Sequence, residues 1–330
     1  MRLLRKEDKA VAQRILLTGA FGNIGTYTIE YLLERGCELV CLDRKLPGTE
    51  AVARRYDQRI KAVWGDITQP AVWEEALIGV DTVIHLAAVI PPVTETNHAL
   101  ADKVNVEATK NLITAMEAQG VKRLIFASSV AVYGKLQDRE PPLTADSPYR
   151  PDDYYGETKL ACEKAIHASS LDWSILRISV APPVEVKFVG GNHDFAMIFD
   201  IAVDTRIEYV HPADCALAFA NAVFCDEAIG KHLLLGGGPS CQCTGKEFND
   251  GILGAYGIPP LPDNIFKKGT PAFYGDFLDT EESQRLLQFQ RHSLAESLSH
   301  SRKSVGLLYY VIKLFGPLIR PVLASRSPYR

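Results

Sequence analysis

Arg14-Ile-Leu-Leu-Thr-Gly-Ala-Phe-Gly-Asn-Ile-Gly25 decides the fold. A short apolar strand runs into a glycine-rich turn and then into the amphipathic stretch Thr26–Arg35, with Gly19, Gly22 and Gly25 in a G-x-x-G-x-x-G pattern. Glycines in that setting permit a tight turn, close approach of a pyrophosphate to backbone N–H groups, and close helix–strand packing, with the anion at the positive end of the helix. A carboxylate completes the pattern: Asp43 closes a second apolar strand, Glu38-Leu-Val-Cys-Leu-Asp43, 24 positions after Gly19. There it can accept both ribose hydroxyls of an adenosine and would repel a 2′-phosphate. NAD is therefore favoured over NADP, while the cations Arg44 and Lys45 directly afterwards soften the preference.

The pattern continues outward from this unit. Strand-like runs at Ile15–Thr18, Leu39–Leu42, Ile60–Trp64, Thr82–Leu86, Leu124–Ala127 and Ser174–Ile178 alternate with helix-like stretches around Thr26–Arg35, Ala71–Ile78, Ala101–Gln119 and Tyr155–Ser169. Such alternation predicts a doubly wound α/β (Rossmann) fold, a parallel sheet covered on both faces, with ligands at the carboxyl ends of the strands. At 330 residues the chain exceeds the usual size of one hydrophobic core, so a smaller C-terminal substrate lobe is expected beside it. Residues 1–180 with about 209–235 are assigned to the NAD-binding domain, and 181–208 with 236–330 to the substrate lobe and a basic, apolar tail.

Tyr155-Gly-Glu-Thr-Lys159 puts a phenol and an ammonium four residues apart, on one face of a helix. A phenol with a reference pKa of about 10 exchanges protons poorly at neutral pH, and a nearby cation favours the phenolate. The spacing thus predicts an acid/base pair with the Tyr155 pKa pulled down by Lys159.

With T-G-A-F-G-N-I-G at Thr18–Gly25, G-D-I at Gly65–Ile67, H-L-A-A at His85–Ala88, V-N-V-E-A-T at Val104–Thr109, S-S-V-A-V-Y-G at Ser128–Gly134, Tyr155-x-x-x-Lys159 and Y-V-H-P-A-D at Tyr209–Asp214, the chain resembles the extended short-chain dehydrogenase/reductase family, also called the NAD-dependent epimerase/dehydratase family. The resemblance runs from about Arg14 to Ala222. It implies cofactor contacts from the turn residues Gly19, Phe21, Gly22, Asn23, Ile24 and Gly25, from Asp43 and Arg44, from Asp66 and Ile67 beside the adenine, and from Leu86, Ala87, Ala88 and Ser128. It implies Tyr155 as acid/base, Lys159 lowering its pKa and bonding the ribose, Ser129 on the substrate oxygen, and Asn105 supporting the site. A strand-end capping hydroxyl is the alternative reading of Ser128. Ile90, in the loop that overhangs the substrate, Val180 and His193 are the further substrate candidates. His85, His211 and Asp214 are read as structural residues, and no metal ligand set is seen.

Departures from the family pattern narrow the substrate. Val130 and Ala131 stand where sugar-nucleotide dehydratases carry an acidic pair, which argues against elimination of water. Val180 replaces the asparagine of nucleotide-sugar epimerases, and Ile207 their diphosphate-binding arginine, with Arg206 one place off. A nucleotide-diphosphate sugar is thereby disfavoured against a small sugar, polyol or lipid-like alcohol.

Apolar residues make up 47% of the chain and charged residues 23%, as in a globular protein, and the net charge of −4 gives no general attraction to nucleic acid. The seven scattered cysteines form no C-x-x-C pair, and the N-terminus lacks the apolar core of a secretory signal, which predicts a cytoplasmic, reducing setting. From Arg302 to Arg330 there are six Lys/Arg residues and no acid, framing Val305–Ile312 and Leu314–Ile319. Lys313, Pro317, Arg320 and Pro321 interrupt any spanning helix, so this tail either packs on the small lobe or a second subunit, giving a homodimer, or lies peripherally on a membrane. Three functions follow: an NAD-dependent oxidoreductase or epimerase, a membrane-associated dehydrogenase of sterol-like or polyketide-like alcohols, and a non-catalytic NAD-sensing module, against which the Ser129, Tyr155 and Lys159 set argues.

Overall fold

Strand order fixes the position of everything else. The computed structural model describes residues 12–135, 137–138, 140–184, 198–269 and 275–330. Its main sheet contains β1 (Arg14–Thr18), β2 (Glu38–Asp43), β3 (Lys61–Trp64), β4 (Thr82–His85), β5 (Arg123–Ser129) and β6 (Asp172–Ile178), and a short antiparallel pair contains β7 (Arg206–Glu208) and β9 (Gln242–Thr244). The seventh member of the main sheet is β8 (Lys231–Leu235), and all its pairings are parallel, in the order β3-β2-β1-β4-β5-β6-β8. The order reverses between β1 and β4, so a crevice opens at their carboxyl ends, directly over the glycine turn.

Alternation along β1 sorts the core into two layers. Ile15 and Leu17 face a cluster with Ile29 and Leu32 of the helix Asn23–Glu34 and Ala218 and Phe219 of the helix Pro212–Ala222. Leu16 faces the opposite cluster, with Trp73, Leu112, Met116 and Ile166. Both faces are thus covered, as the near-continuous apolar strands predict.

One expected helix differs from its sequence reading. Ala101–Gln119 contains a π-helical stretch, Asp102–Glu107, ahead of the regular helix Ala108–Gln119. Asn105 lies inside that widened turn.

Beyond the sheet, the β7–β9 pair, the helix Gly245–Ala255 and the helix Leu294–Val305 surround smaller apolar clusters, one of them formed by Phe199, Leu253, Leu261 and Phe266. The tail continues as one helix, Leu308–Ala324, through both Pro317 and Pro321. One face packs on this cluster, burying Tyr309, Gly316 and Ala324, and Arg320 Nε donates to the Pro260 carbonyl at 2.7 Å. The opposite face stays in solvent: Leu307 is 85% exposed, Leu314 75% and Leu318 69%. Among the described residues no single helix is long and apolar enough to cross a membrane. The pair Leu294–Val305 and Leu308–Ala324 reaches that length only across a 99° bend.

Candidate active site

The turn after β1 is shaped to lie close to something. Gly19 has φ +64°, and a Cβ there would sit 2.9 Å from the Ala87 nitrogen. A Cβ on Gly25 would meet the Ala20 carbonyl at 2.5 Å. The helix Asn23–Glu34 begins at Gly22 with no side-chain cap among the described residues, which leaves its first N–H groups without a carboxylate or hydroxyl of those residues on them. Asn23 Nδ2 ties this turn to the Ala181 carbonyl at 3.1 Å, and Ile24 packs on the underlying core. Asp43 turns its carboxylate toward the same turn, with Oδ2 accepting from the Phe21 N–H at 2.9 Å and Oδ1 from the Arg44 N–H at 2.8 Å. Phe21 is buried, its ring centroid 5.3 Å from that of Trp64. Asp66 is exposed and accepts from the Thr68 N–H at 2.9 Å, while the adjacent Ile67 is buried.

Beneath Leu86, Ala87 and Ala88, which are half-buried, runs a chain of hydrogen bonds that fixes one tautomer of His85. Thr109 Oγ1 spends its hydrogen on the Asn105 carbonyl at 2.6 Å and so accepts from His85 Nε2–H at 3.3 Å. In the neutral ring that leaves Nδ1 to accept from the Thr18 hydroxyl at 2.7 Å, and Thr18 Oγ1 in turn accepts from Ala87 N–H at 3.2 Å. Burial, reinforced by the nearby Lys159 charge, holds the His85 pKa down to about 3, so the ring is neutral. Asn105 in turn clamps the loop after β4. Its Oδ1 accepts from Val89 N–H at 2.9 Å, and its Nδ2 donates to the Val89 carbonyl at 3.0 Å and to Thr158 Oγ1 at 3.1 Å. The π-helical turn is what presents Asn105 to both elements at once.

Tyr155 and Lys159 ride on the helix Tyr154–His167. Its start is unusually well satisfied: Asp153 caps Gly156 N–H at 2.8 Å, and the two oxygens of Glu95 accept from Tyr154 N–H and Tyr155 N–H, each at 3.1 Å. Gly156 lets the helix press on the turn after β5, since a Cβ there would lie 2.6 Å from the Ala131 carbonyl. That approach brings the Tyr155 phenol into a hydrogen bond with the Ser129 side chain. Ser129 Oγ also accepts from Ala131 N–H at 3.1 Å, so the strand-end cap expected of Ser128 belongs to Ser129. The Ser128 hydroxyl points into the core and donates to Glu163 Oε1 at 2.5 Å.

The electrostatic balance at Tyr155 differs from the expectation set by spacing. Burial pushes the phenol pKa upward and the bond to Ser129 only partly offsets it, although the residue as a whole keeps some exposure. Lys159 does not reverse this, because its ammonium is directed at the Ala127 carbonyl, 2.7 Å away, and lies 5.7 Å from the Tyr155 ring centroid. Burial lowers the Lys159 pKa as well. One acceptor for a buried group with three N–H donors leaves donors to spare.

On the substrate side, Ile90 is exposed, whereas Val180 is buried in a cluster with Ile207 and Tyr209. Arg206 is held by Asp276 through bonds of 2.6 and 2.9 Å. His193 and its neighbour Asp194 lie outside the described residues. His211, Asp214 and His292 offer ligand atoms within 4.8 Å of one another. Several of these atoms are already engaged within the chain: Asp214 accepts from Arg291 N–H, His292 N–H and His292 Nδ1, and His211 Nδ1 accepts from Ala213 N–H. The trio therefore fastens the segment around His292 to the start of the helix Pro212–Ala222.

Comparison with known proteins agrees with this geometry. The model of the NAD dependent epimerase/dehydratase family matches residues 15–182. The chain belongs to that family. A 3-beta-hydroxysteroid dehydrogenase of Mycolicibacterium neoaurum is 34% identical over 178 residues, which cover 51% of this chain and 46% of that protein. The sterol-4-alpha-carboxylate 3-dehydrogenase (decarboxylating) of Bos taurus is 34% identical over 163 residues, covering 48% of this chain and 43% of that protein. A UDP-glucose 4-epimerase of Lacticaseibacillus casei is 29% identical over 206 residues, covering 58% and 60%. The chain thus spans about half the length of the curated relatives it matches. Among solved structures, UDP-glucuronic acid 4-epimerase from Bacillus cereus, in complex with UDP-glucuronic acid and NAD, superposes with a TM-score of 0.75 at 22% identity, covering 90% of this chain and all of that one. At that identity the likeness is one of fold.

Proposed function

We propose that the protein is an NAD-dependent oxidoreductase or epimerase acting at a secondary alcohol or ketone carbon, with the Tyr155–Ser129 hydroxyl pair on the reacting oxygen. That pair is the observation on which the reading rests, because it joins an acid/base group to a second hydroxyl at the carboxyl edge of the sheet. Gly19, Gly22, Gly25 and the uncapped N–H groups of the first helix would hold the pyrophosphate of NAD, Asp43 the adenosine ribose, and Lys159, with its spare donors, the other ribose. Phe21 and Arg44 would flank the adenosine through their ties to Asp43, and Asp66, Ile67, Leu86, Ala87 and Ala88 would line the cleft. The chemistry supplied by bound NAD is acceptance and return of hydride. Tyr155 gives its phenolic proton to a ketone oxygen or, in the reverse direction, takes one from the substrate hydroxyl as the phenolate, and Ser129 donates to that oxygen as charge develops on it. Asn105 holds the Val89 loop against the catalytic helix so that this alignment persists.

The substrate is proposed to enter between the sheet edge and the lobe of residues 181–208 and 236–330, past Ile90. A small sugar-like, polyol or lipid-like alcohol fits better than a nucleotide-diphosphate sugar, since Arg206 is neutralised by Asp276 and Val180 is packed away. A sterol-like alcohol is the second reading, favoured by the exposed Ile90 and Val93 and by the names of two relatives. Incubation with NAD and a panel of alcohols, following reduced cofactor and product stereochemistry, tests both. Tyr155→Phe should abolish nearly all turnover while leaving NAD binding close to intact. Full activity of that variant across a pH series would refute the proton-transfer role, and NAD binding without turnover of any alcohol or epimer would leave the NAD-sensing module.

A further inference from the structure

The helix Leu308–Ala324 has one face bound to the lobe and one bound to nothing among the described residues. Leu307, Tyr310, Val311, Leu314, Phe315, Leu318 and Val322 are 85, 64, 51, 75, 50, 69 and 57% exposed. At about 3.6 residues per turn they share one stripe. Lys313 and Arg320 lie toward the lobe-facing side, Arg320 on the Pro260 carbonyl and Lys313 over the Tyr309 ring, with their side chains still exposed; Arg302, Lys303, Arg326 and Arg330 are also exposed, and there is no Asp or Glu anywhere from Arg302 to Arg330. An apolar stripe of this size in water is a docking surface waiting for its partner.

We infer that this face lies on an anionic lipid surface, with the helix in the plane of the interface. Charge selects the occupant. A second copy would pair isologously and bring two sets of six cations together with no acid from either tail, whereas anionic headgroups complement them. The prolines set the depth. Pro317 and Pro321 lack N–H groups and so free the carbonyls of Lys313 and Pro317 from the helical ladder, which water or headgroups can satisfy at the interface but hydrocarbon cannot. The opposite face remains fixed to the lobe through Tyr309, Gly316 and the Arg320–Pro260 bond, so the whole enzyme is carried to the surface.

The full-length protein is sedimented with vesicles of phosphatidylcholine alone and with about 30% phosphatidylserine, at ~50 and ~500 mM salt. Expected is binding at least about tenfold tighter to the anionic vesicles, lost at high salt. Lys303→Gln/Lys313→Gln should weaken it about 25-fold, roughly fivefold per cation. Leu314→Glu/Leu318→Glu should abolish it, with melting temperature and NAD binding unchanged because both positions are exposed. Equal binding to neutral vesicles, or no binding to either, overturns the inference. A dimer that Leu314→Glu/Leu318→Glu converts to monomer, without vesicle binding, overturns it in favour of a second copy as the occupant.

Discussion

Arg177→Met should cost about 3–5 kcal/mol of folding stability at pH 7, and the structure says where that cost arises. Arg177 and Glu163 are both fully buried between the main sheet and the helix Tyr154–His167. All five guanidinium N–H donors are used: Nε and Nη2 hold the two Glu163 oxygens at 3.0 and 2.7 Å, Nη1 holds the Tyr133 hydroxyl and the Ala145 carbonyl, and Nη2 also holds the Tyr149 hydroxyl. Methionine replaces most of the apolar stem but strands the Glu163 charge with the Ser128 hydroxyl and, at 3.9 Å, His232 Nε2 as its remaining partners. Tyr133 keeps its own bond to Ala145, so the stranded carboxylate dominates the loss. Arg177→Met/Glu163→Leu removes both charges and should recover most of the deficit, leaving about 1 kcal/mol for the orphaned Ser128 hydroxyl. Urea unfolding of wild type and both variants at pH 7 measures this. A single-variant cost under about 1 kcal/mol, or a double variant no more stable than the single, would refute the reasoning.

Asp43→Ala should narrow or reverse the preference for NAD over NADP by tenfold or more, as charged hydrogen bonds of about 1.5–3 kcal/mol are lost; titration with both nucleotides checks it, and equal wild-type affinities would remove its basis. Glu95→Ala should lower turnover and destabilise the protein by about 1–2 kcal/mol, because two N–H groups at the start of the helix Tyr154–His167 lose their acceptor; unchanged melting and kinetics would show that Glu95 positions nothing. His85 and His211 are neutral in the fold, with pKa values held down to about 3 and about 4 by burial. Their contribution is present above the unfolded value of about 6.5 and is lost as pH falls through it toward those folded values, about 2 kcal/mol each between pH 7 and 5. A stability flat over that window, measured by denaturant titration, would contradict their burial as neutral rings.

The parts of the site that were legible in the sequence are those specified by local backbone chemistry. Gly19 and Gly25 announce themselves because no other residue fits, Asp43 because it ends a strand at a fixed distance, and Tyr155 with Lys159 because a helix aligns them. Asp153 had a local signal too, an N-cap acid one residue before the helix. Glu95 had none, for its partners lie about 60 residues away in sequence. The fate of Ser128 depends on Glu163 and Arg177 across two elements, and the direction of the Tyr155 shift depends on where the Lys159 ammonium points. The strands β7 and β9, three residues each, are too short to carry a readable alternation, and the tail helix runs through two prolines that sequence reading treats as breaks.

The bonds running from Ala87 through Thr18, His85 and Thr109 to Asn105 have a direction as well as a length. Each hydroxyl receives one hydrogen and passes one on, so the row behaves like a line of dominoes that can stand only one way. Thr18→Val therefore breaks more than a contact: it takes the Thr18 oxygen from both the Ala87 N–H and the His85 Nδ1 lone pair, while Phe126, Trp73 and Thr109 still hold the ring. A proton added to Nδ1 would oppose the Thr18 hydroxyl head-on and force the row to rotate from that end. One neutral imidazole thus joins the glycine turn and the β4 edge to the element that carries the Asn105 clamp, and protonating it sets two hydrogens against each other in the middle of that connection.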